Sequence, residues 1–428
     1  MMASKIYSML VSLVVGSLSA RYLGPSNYGL LNYGTSIIAF FTTISALGFA
    51  STLVVEMVQK PEKQGAIVGT AAMFRLVTAL ISYLAIFLIV YMLEPNNKEL
   101  QIVTMLQAIA VILNTYEVFL YWFQMRLEMK MVTIASMIAL TATAIWRISL
   151  LAHQATIEFF ALSNSITALV TGLCIVFFFL KSSCRPKLSM DIKLGKRLLS
   201  SSYHFIISGL AVTLYTQLDR IMLGKIVSAE AVGYYSAAMM IATMWEFVPQ
   251  AIINSARPVL VEIKTRNEEE YLEKYKLLLA GISLMGCLIG LAFMILGKLA
   301  IWILYGRSYE SAVVPLMILI WSTSFSMIGT ARGIWIVAEN KNKYAKYLVM
   351  VGAIINTILN AIVIPYWGIV GASLTTLVSQ VVVAVVAPYF FKDTRPFCAL
   401  YWESFKSFPQ LFNFGRKTCG DLLKKIKR

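Results

Sequence analysis

The chain has 428 residues, 59% hydrophobic and 14% charged, with a mean hydropathy of +0.74. A water-soluble domain carries roughly 25% charged residues, so a soluble enzyme, a nucleic-acid binder and a secreted disulfide scaffold are excluded, and an all-α polytopic membrane protein is expected. The 37 Lys and Arg against 21 Asp and Glu, a formal charge of +16, pose a question of membrane topology before one of partners.

Crossing the hydrocarbon takes roughly 20 mainly apolar residues, and the sequence holds twelve such runs, at about 3–20, 30–56, 66–92, 100–122, 131–151, 157–180, 200–223, 233–257, 277–304, 311–337, 345–364 and 369–391. The first holds Lys5 and stops at Arg21. A signal peptide would need a better cleavage site than Ser19-Ala20 and an exported soluble domain after it, so a short first helix is the expectation. In the third run Arg75 lies on a face of small residues with Ala71, Ala72, Thr78, Ala79 and Ser82. In the fourth, Gln107, Asn114, Glu117, Tyr121 and Gln124 recur at helical spacing, as side chains three, four and seven apart do on one face. Arg147 in the fifth aligns with Ser136 and Thr143. The seventh carries His204, Ser208, Tyr215 and Asp219 on one row and Thr213, Thr216 and Arg220 on the next. The eighth carries Thr243, Glu246, Gln250 and Asn254, with Pro249 placed to kink the helix. In the ninth, Gly286 and Gly290 form a close-packing pair, and in the tenth Arg332 stands beside Trp335 near the inner end.

Orientation follows from alternate loops, because cytoplasmic loops hold the Lys and Arg excess. One side collects 28 of the 37 cations, six of them between Lys181 and Arg197 and nine after Phe391; the other side has five. Both termini are thereby expected in the cytoplasm, and the net charge is expected to face anionic headgroups without any nucleic acid. The aromatic and basic tail over 392–428 suits an interfacial position. Cys174, Cys184, Cys287, Cys398 and Cys419 form no C-x-x-C pair, and His153 and His204 lie far apart, so neither a disulfide framework nor a metal site is expected.

The basic loop 181–199 divides the runs six and six, giving an N-terminal lobe 1–180, a linker, a C-terminal lobe 200–391 and the tail. Leu23-Gly24 and Leu223-Gly224 are offset by 200 residues, each followed by a short loop and a glycine-led helix start. Six runs per half preserve direction, so the halves are expected to be parallel repeats around a central cavity, an arrangement suited to alternating access. Charges inside spans cost roughly 2.5–3.5 kcal/mol each on insertion scales and mark a bundle interior or a watery lumen. The candidates are Arg75, Arg147, Arg220 and Arg332 for binding an anion and Glu117, Asp219 and Glu246 for coupling to an ion gradient. Arginine suits phosphate through paired charge-assisted hydrogen bonds. Arg147, Asp219, Arg220 and Arg332 also lie near enough to span ends for the arginines to reach headgroups.

Four strings carry a resemblance: ARYLGPSNYG at Ala20–Gly29, QLDRIMLG at Gln217–Gly224, VGYYSAA at Val232–Ala238 and GIVGA at Gly368–Ala372. With span number, orientation and motif order, the chain resembles the bacterial oligosaccharide repeat-unit flippases of the multidrug/oligosaccharidyl-lipid/polysaccharide exporter superfamily. The resemblance implies two six-helix lobes and transport of an undecaprenyl-diphosphate-linked oligosaccharide from the inner to the outer leaflet for O-antigen or capsule. It also implies location in the bacterial inner membrane, a cationic cavity, no enzymatic activity and no cofactor, with proton or sodium coupling left open. Expected partners are the lipid-linked oligosaccharide, membrane lipids, and the polysaccharide polymerase and chain-length machinery. Rival readings are a multidrug or small-cation exporter of the same superfamily, whose lumen would be dominated by acids, a peptidoglycan-precursor flippase, and a membrane-embedded glycosyl- or acyltransferase using His204, Glu117 or Asp219 as base. No G-x-x-x-x-G-K-[ST] occurs, so direct ATP drive is not expected.

Overall fold

The structure is a computed structural model that describes residues 2–409. Among these residues every regular element is helical: α1 Met2–Ser45, α2 Phe49–Gln59, α3 Gln64–Leu93, α4 Lys98–Leu113, α5 Glu117–Met125, α6 Met129–Ala152, α7 Ile157–Lys181, α8 Ile192–Ile226, α9 Ala229–Met244, α10 Phe247–Arg266, α11 Glu268–Leu304, α12 Val313–Ala338, α13 Lys343–Val381, α14 Ala387–Phe390 and α15 Arg395–Ser404. Among the described residues nine helices are long and apolar enough to cross a membrane, and the α9–α10 pair, bent by 43°, makes ten. The chain is a multi-pass membrane protein.

Twelve separate spans were expected, and the difference lies at two glycines. α1 runs 44 residues through Gly24 at φ 73°, and α13 runs 39 residues through Gly368 at φ 50°. Only glycine adopts such angles cheaply, so each long helix is two helical segments meeting at a kink, with Pro25 opening the second segment of α1 where its missing N–H costs nothing. At about 1.5 Å per residue α1 is roughly twice as long as the hydrocarbon is thick. Three other boundaries move. The second run stops at Ser45, where Leu47 and Gly48 take positive φ, and resumes as α2. A 3₁₀ turn at Asn114–Tyr116 interrupts the fourth, so its polar stripe is not one α-helical face. The bend in the eighth falls at the break between Met244 and Phe247, one turn before Pro249, whose ring excludes a hydrogen bond to the carbonyl four residues back, that of Trp245.

The chain forms two compact units, one of Met1–Ala237 with Leu304–Tyr309 and the other of Ala238–Ile303 with Glu310–Arg428. Compactness is a different criterion from internal repetition, and it leaves the six-plus-six reading where the sequence put it.

In the first unit α1 packs along α8, joined by Thr43 and Thr213 hydroxyls 2.8 Å apart and by Ser36 donating to Gln217 Oε1 at 3.1 Å. The two repeated motifs meet at α1 and α9. A Cβ on Gly29 would overlap the carbonyl of Ala229, and one on Gly233 would overlap the carbonyl of Pro25. Each glycine thus faces a carbonyl four residues before the other glycine, a reciprocal crossing that admits no side chain on either helix. The core of this unit gathers Phe49, Leu53, Ile67, Trp122 and Phe179, with Trp122 edge-on to Phe179 at 5.0 Å. Between α7 and α8 the basic linker lies along α3: Ser189 N donates to Gly65 O at 3.3 Å and Asp191 N to Thr70 Oγ1 at 2.9 Å. Asp191 then caps α8 by accepting from Lys193 N and Leu194 N, as a short acidic side chain does at a helix start.

In the second unit Gly286 and Gly290 of α11 admit Ser324 and Trp321 of α12, the close packing their spacing indicates. Tyr271, Tyr275, Trp335 and Phe397 belong to its core. The tail begins with α15, which buries Phe397, Cys398 and Tyr401; residues 410–428 lie outside the described residues.

Candidate functional site

Two charged clusters form in the first unit. At the first, α3 carries Arg75, only 1% exposed, opposite the turn that starts α5. Its Nη2 donates to Glu117 Oε2 at 2.5 Å and its Nη1 to the Tyr121 hydroxyl at 3.5 Å, while Tyr121 donates to Glu117 Oε2 at 3.4 Å. The 3₁₀ turn brings Glu117 to the first position of α5, where negative charge is favoured by the helix dipole. The Glu117 side chain keeps 31% exposure. The cluster is therefore a self-neutralised pair, dry on the cation and partly open on the acid.

The second cluster involves α1, α6, α8 and α9. Asp219, 3% exposed, does not pair with its neighbour Arg220; its Oδ2 accepts the Tyr235 hydroxyl at 2.5 Å. Arg220 donates Nη1 to Gln217 Oε1 at 2.9 Å and Nε to Ser236 Oγ at 3.1 Å, both neutral acceptors. Arg147 has a buried Nε without a partner and makes no hydrogen bond or ion pair with any described residue. Tyr28 stands within electrostatic reach of both Arg220 and Arg147, and its ring lies 6.4 Å from Tyr305 and 6.3 Å from Tyr309. Tyr309 is anchored by donating to Ala20 O at 2.8 Å. Two arginines without acidic partners among the described residues keep a demand for an anion, and Tyr305 and Tyr309, both fully buried, pack the cluster from behind Tyr28.

The second unit holds the remaining two candidates, in different settings. Arg332, 5% exposed, donates Nη1 to Val383 O and, at 3.1 Å, to Ala384 O. These carbonyls belong to the π-turn 382–386, which precedes Pro388. Proline has no N–H to return to a carbonyl four or five residues back, and Arg332 supplies the missing donor. Its guanidinium also lies 5.8 Å from the Phe397 ring centroid. Glu246 sits at the bend between α9 and α10, half-buried, and its carboxylate has no hydrogen bond or ion pair with any described residue.

The structure thus joins Arg75 to Glu117 and places Arg147 and Arg220 around Tyr28, while it separates Asp219 from Arg220 in bonding and ties Arg332 to backbone. Sequence reasoning missed Tyr28 and Tyr235, which sit inside the repeated motifs but carry no charge to flag them. It also missed Asn356 and Asn360 of α13, both buried, where Asn360 Nδ2 donates to Asn356 Oδ1 at 3.1 Å and Thr375 donates to Asn360 Oδ1. Two asparagines four apart in an apolar run were the available signal.

Comparison with known proteins gives the class. The polysaccharide biosynthesis protein family matches residues 1–264, and the chain belongs to that family. Among curated relatives it is 21% identical, over 380 residues covering 88% of this chain and 91% of the relative, to a protein of Escherichia coli (strain K12) described as an O-antigen transporter. Its fold is that of two solved transporters: the lipid II flippase MurJ in an inward closed conformation, with TM-score 0.68, 16% identity and coverage of 94% of this chain and 90% of that one, and an inward-facing multidrug resistance MATE family transporter, with TM-score 0.70, 12% identity and coverage of 92% and 96%.

Proposed function

We propose that this protein is a flippase that moves an undecaprenyl-diphosphate-linked oligosaccharide repeat unit from the cytoplasmic to the outer leaflet for surface polysaccharide assembly. The observation that carries the reading is the match to the O-antigen transporter along 88% of this chain and 91% of that one. Counting α1 and α13 as two crossings each, at Gly24 and Gly368, gives twelve crossings, both termini in the cytoplasm and two six-helix lobes that alternate access. The bacterial inner membrane is the location this reading requires, and the polymerase and chain-length machinery are the partners it supplies.

In this reading the half-buried arginines Arg147 and Arg220, uncompensated by any described acid, take the diphosphate, because a partly desolvated cation without an acid gains most from an incoming anion. The buried rings of Tyr305 and Tyr309 pack behind Tyr28 and fix its position beside the two arginines. Arg75 is the inner cation, exchanging Glu117 for the diphosphate on entry, and Arg332 keeps the π-turn in shape. Glu246 and Glu117 are the groups through which a proton or sodium gradient drives the cycle.

Deletion of the gene tests the reading. The expected result is a lipid-linked oligosaccharide trapped on the inner leaflet, loss of surface polysaccharide, and reversal of both by the intact gene; mass spectrometry of the trapped lipid names the glycan. Normal surface glycan with altered drug tolerance would overturn it in favour of the exporter that the MATE-like fold also accommodates.

A further inference from the structure

The linker between α7 and α8 does more than connect. Leu188 and Met190 of the linker and Ile192, the first residue of α8, are exposed to 49%, 70% and 60%, while the intervening backbone hydrogen-bonds to α3 through Ser189 N and Asp191 N. The approach depends on Gly65 and Gly69, whose absent side chains leave room for the carbonyls of Lys187 and Ser189. Beneath the linker is a recess of about 330 Å³, walled by Ala72, Met73 and Leu76 of α3, Thr115, and Leu188 and Met190 of the linker. Its wall is almost wholly apolar. The Thr115 hydroxyl is already donating to Ile112 O at 2.8 Å, and Ser189 is the other hydroxyl residue on the rim. Around the recess the linker carries Arg185 and Lys187 and the first turn of α8 carries Lys193, all exposed and none ion-paired with a described residue. An apolar slot under a row of unpaired cations, at the end of a membrane span, complements a molecule with a hydrocarbon chain and an anionic head.

We propose that this recess is a binding site for one acyl chain of an anionic phospholipid, whose headgroup phosphate is held by Arg185, Lys187 and Lys193, and that the bound lipid fastens the linker to α3. The wall has nothing with which to read a sugar or fork a diphosphate. Its cations are single charges spread along the linker and the first turn of α8, which suits a resident bilayer lipid better than the transported one. The inference does not rest on the flippase reading, only on the chain's being embedded in a bilayer.

The test is native mass spectrometry of the full chain released from vesicles of equimolar phosphatidylglycerol and phosphatidylcholine with identical acyl chains. One phosphatidylglycerol is expected to be retained in preference to phosphatidylcholine. Lys187→Ala is expected to weaken that retention about fivefold, as is Lys193→Ala, the size of one interfacial cation's contribution. Ala72→Phe, which fills the recess and leaves every charge in place, is expected to abolish it; if that variant does not fold, Leu188→Ser on the exposed linker takes its place. Equal retention of the two lipids by the unmodified chain would overturn the proposal, as would undiminished phosphatidylglycerol in the variant that fills or opens the recess. Displacement of phosphatidylglycerol by equimolar undecaprenyl phosphate would overturn it too, by assigning the slot to the transported lipid.

Discussion

Arg75 and Arg220 are both arginines on membrane-spanning helices of the same compact unit, and the structure treats them oppositely. Arg75 meets a carboxylate, Glu117, at 2.5 Å with a phenol bridging the two. Arg220 meets an amide and a hydroxyl, although Asp219 is its neighbour in sequence, and nearby Arg147 meets nothing described. A paired buried cation is electrically finished, and breaking the pair exposes the full cost of the charge. An unpaired one is held in place by neutral dipoles and keeps an unmet demand for an anion. The difference separates a cluster built to switch partners from a cluster built to receive one.

The sharpest way to break this contrast is Glu117→Ala, which strands Arg75 in a site where it is 1% exposed. Loss of one partner of a buried pair costs about 3–5 kcal/mol, to be read by denaturation of the purified chain, and adding Arg75→Met should restore most of the loss. If Glu117→Ala unfolds no more easily than the unmodified chain, the pair is not what neutralises Arg75. Arg220→Ala comes next: it removes two charge-assisted hydrogen bonds and leaves Gln217 Oε1 with only its bond from Ser36, an expected loss of about 1.5–3 kcal/mol, together with loss of transport in cells. Arg147→Met carries the opposite expectation for stability. It deletes a half-buried guanidinium that bonds no described residue, so the unfolding midpoint should be unchanged or higher, while surface polysaccharide should fall; a marked destabilisation would show that Arg147 has structural work and sink the anion-site reading.

The smallest effect belongs to a group outside the hydrocarbon and sharpens the contrast by water. Asp393 is held below the usual carboxylate range, first by the Tyr344 hydroxyl and then by the charges of Lys343 and Lys341. A carboxylate with a lowered folded value adds stability that is present above about pH 4, its unfolded value, and is lost as pH falls through the lower folded value. Asp393→Asn should therefore flatten the acid limb of a stability–pH curve slightly and leave neutral pH almost unchanged.

The legible part of the site was the part that carries charge. Arg75 and Glu117 stood out because ionisable groups are rare in apolar runs, yet nothing in their spacing, 42 residues apart, paired them. Asp219 and Arg220 invited pairing by adjacency, and consecutive helical residues point about 100° apart, so one found Tyr235 and the other Ser236. Arg332 looked like a lumen cation because the gap that Pro388 leaves in the backbone ladder is visible only once α12 and the π-turn are side by side. Helix ends were equally dependent on context: Gly24 and Gly368 read as span boundaries, and each is the kink at which two helical segments meet.

Apolar run length, charge asymmetry and two recurring glycine motifs were enough, by themselves, to determine a multi-pass helical membrane protein and its family, because the bilayer demands long apolar helices with internally bonded backbone and tolerates few alternatives. Which charges are paired, which are left open to an anion and which serve the backbone was decided by tertiary structure alone. Those assignments turn on ångström-scale meetings between helices, such as the Gly29–Gly233 crossing that brings α9 with Tyr235 and Ser236 against α1, and helical periodicity does not encode which helices will meet.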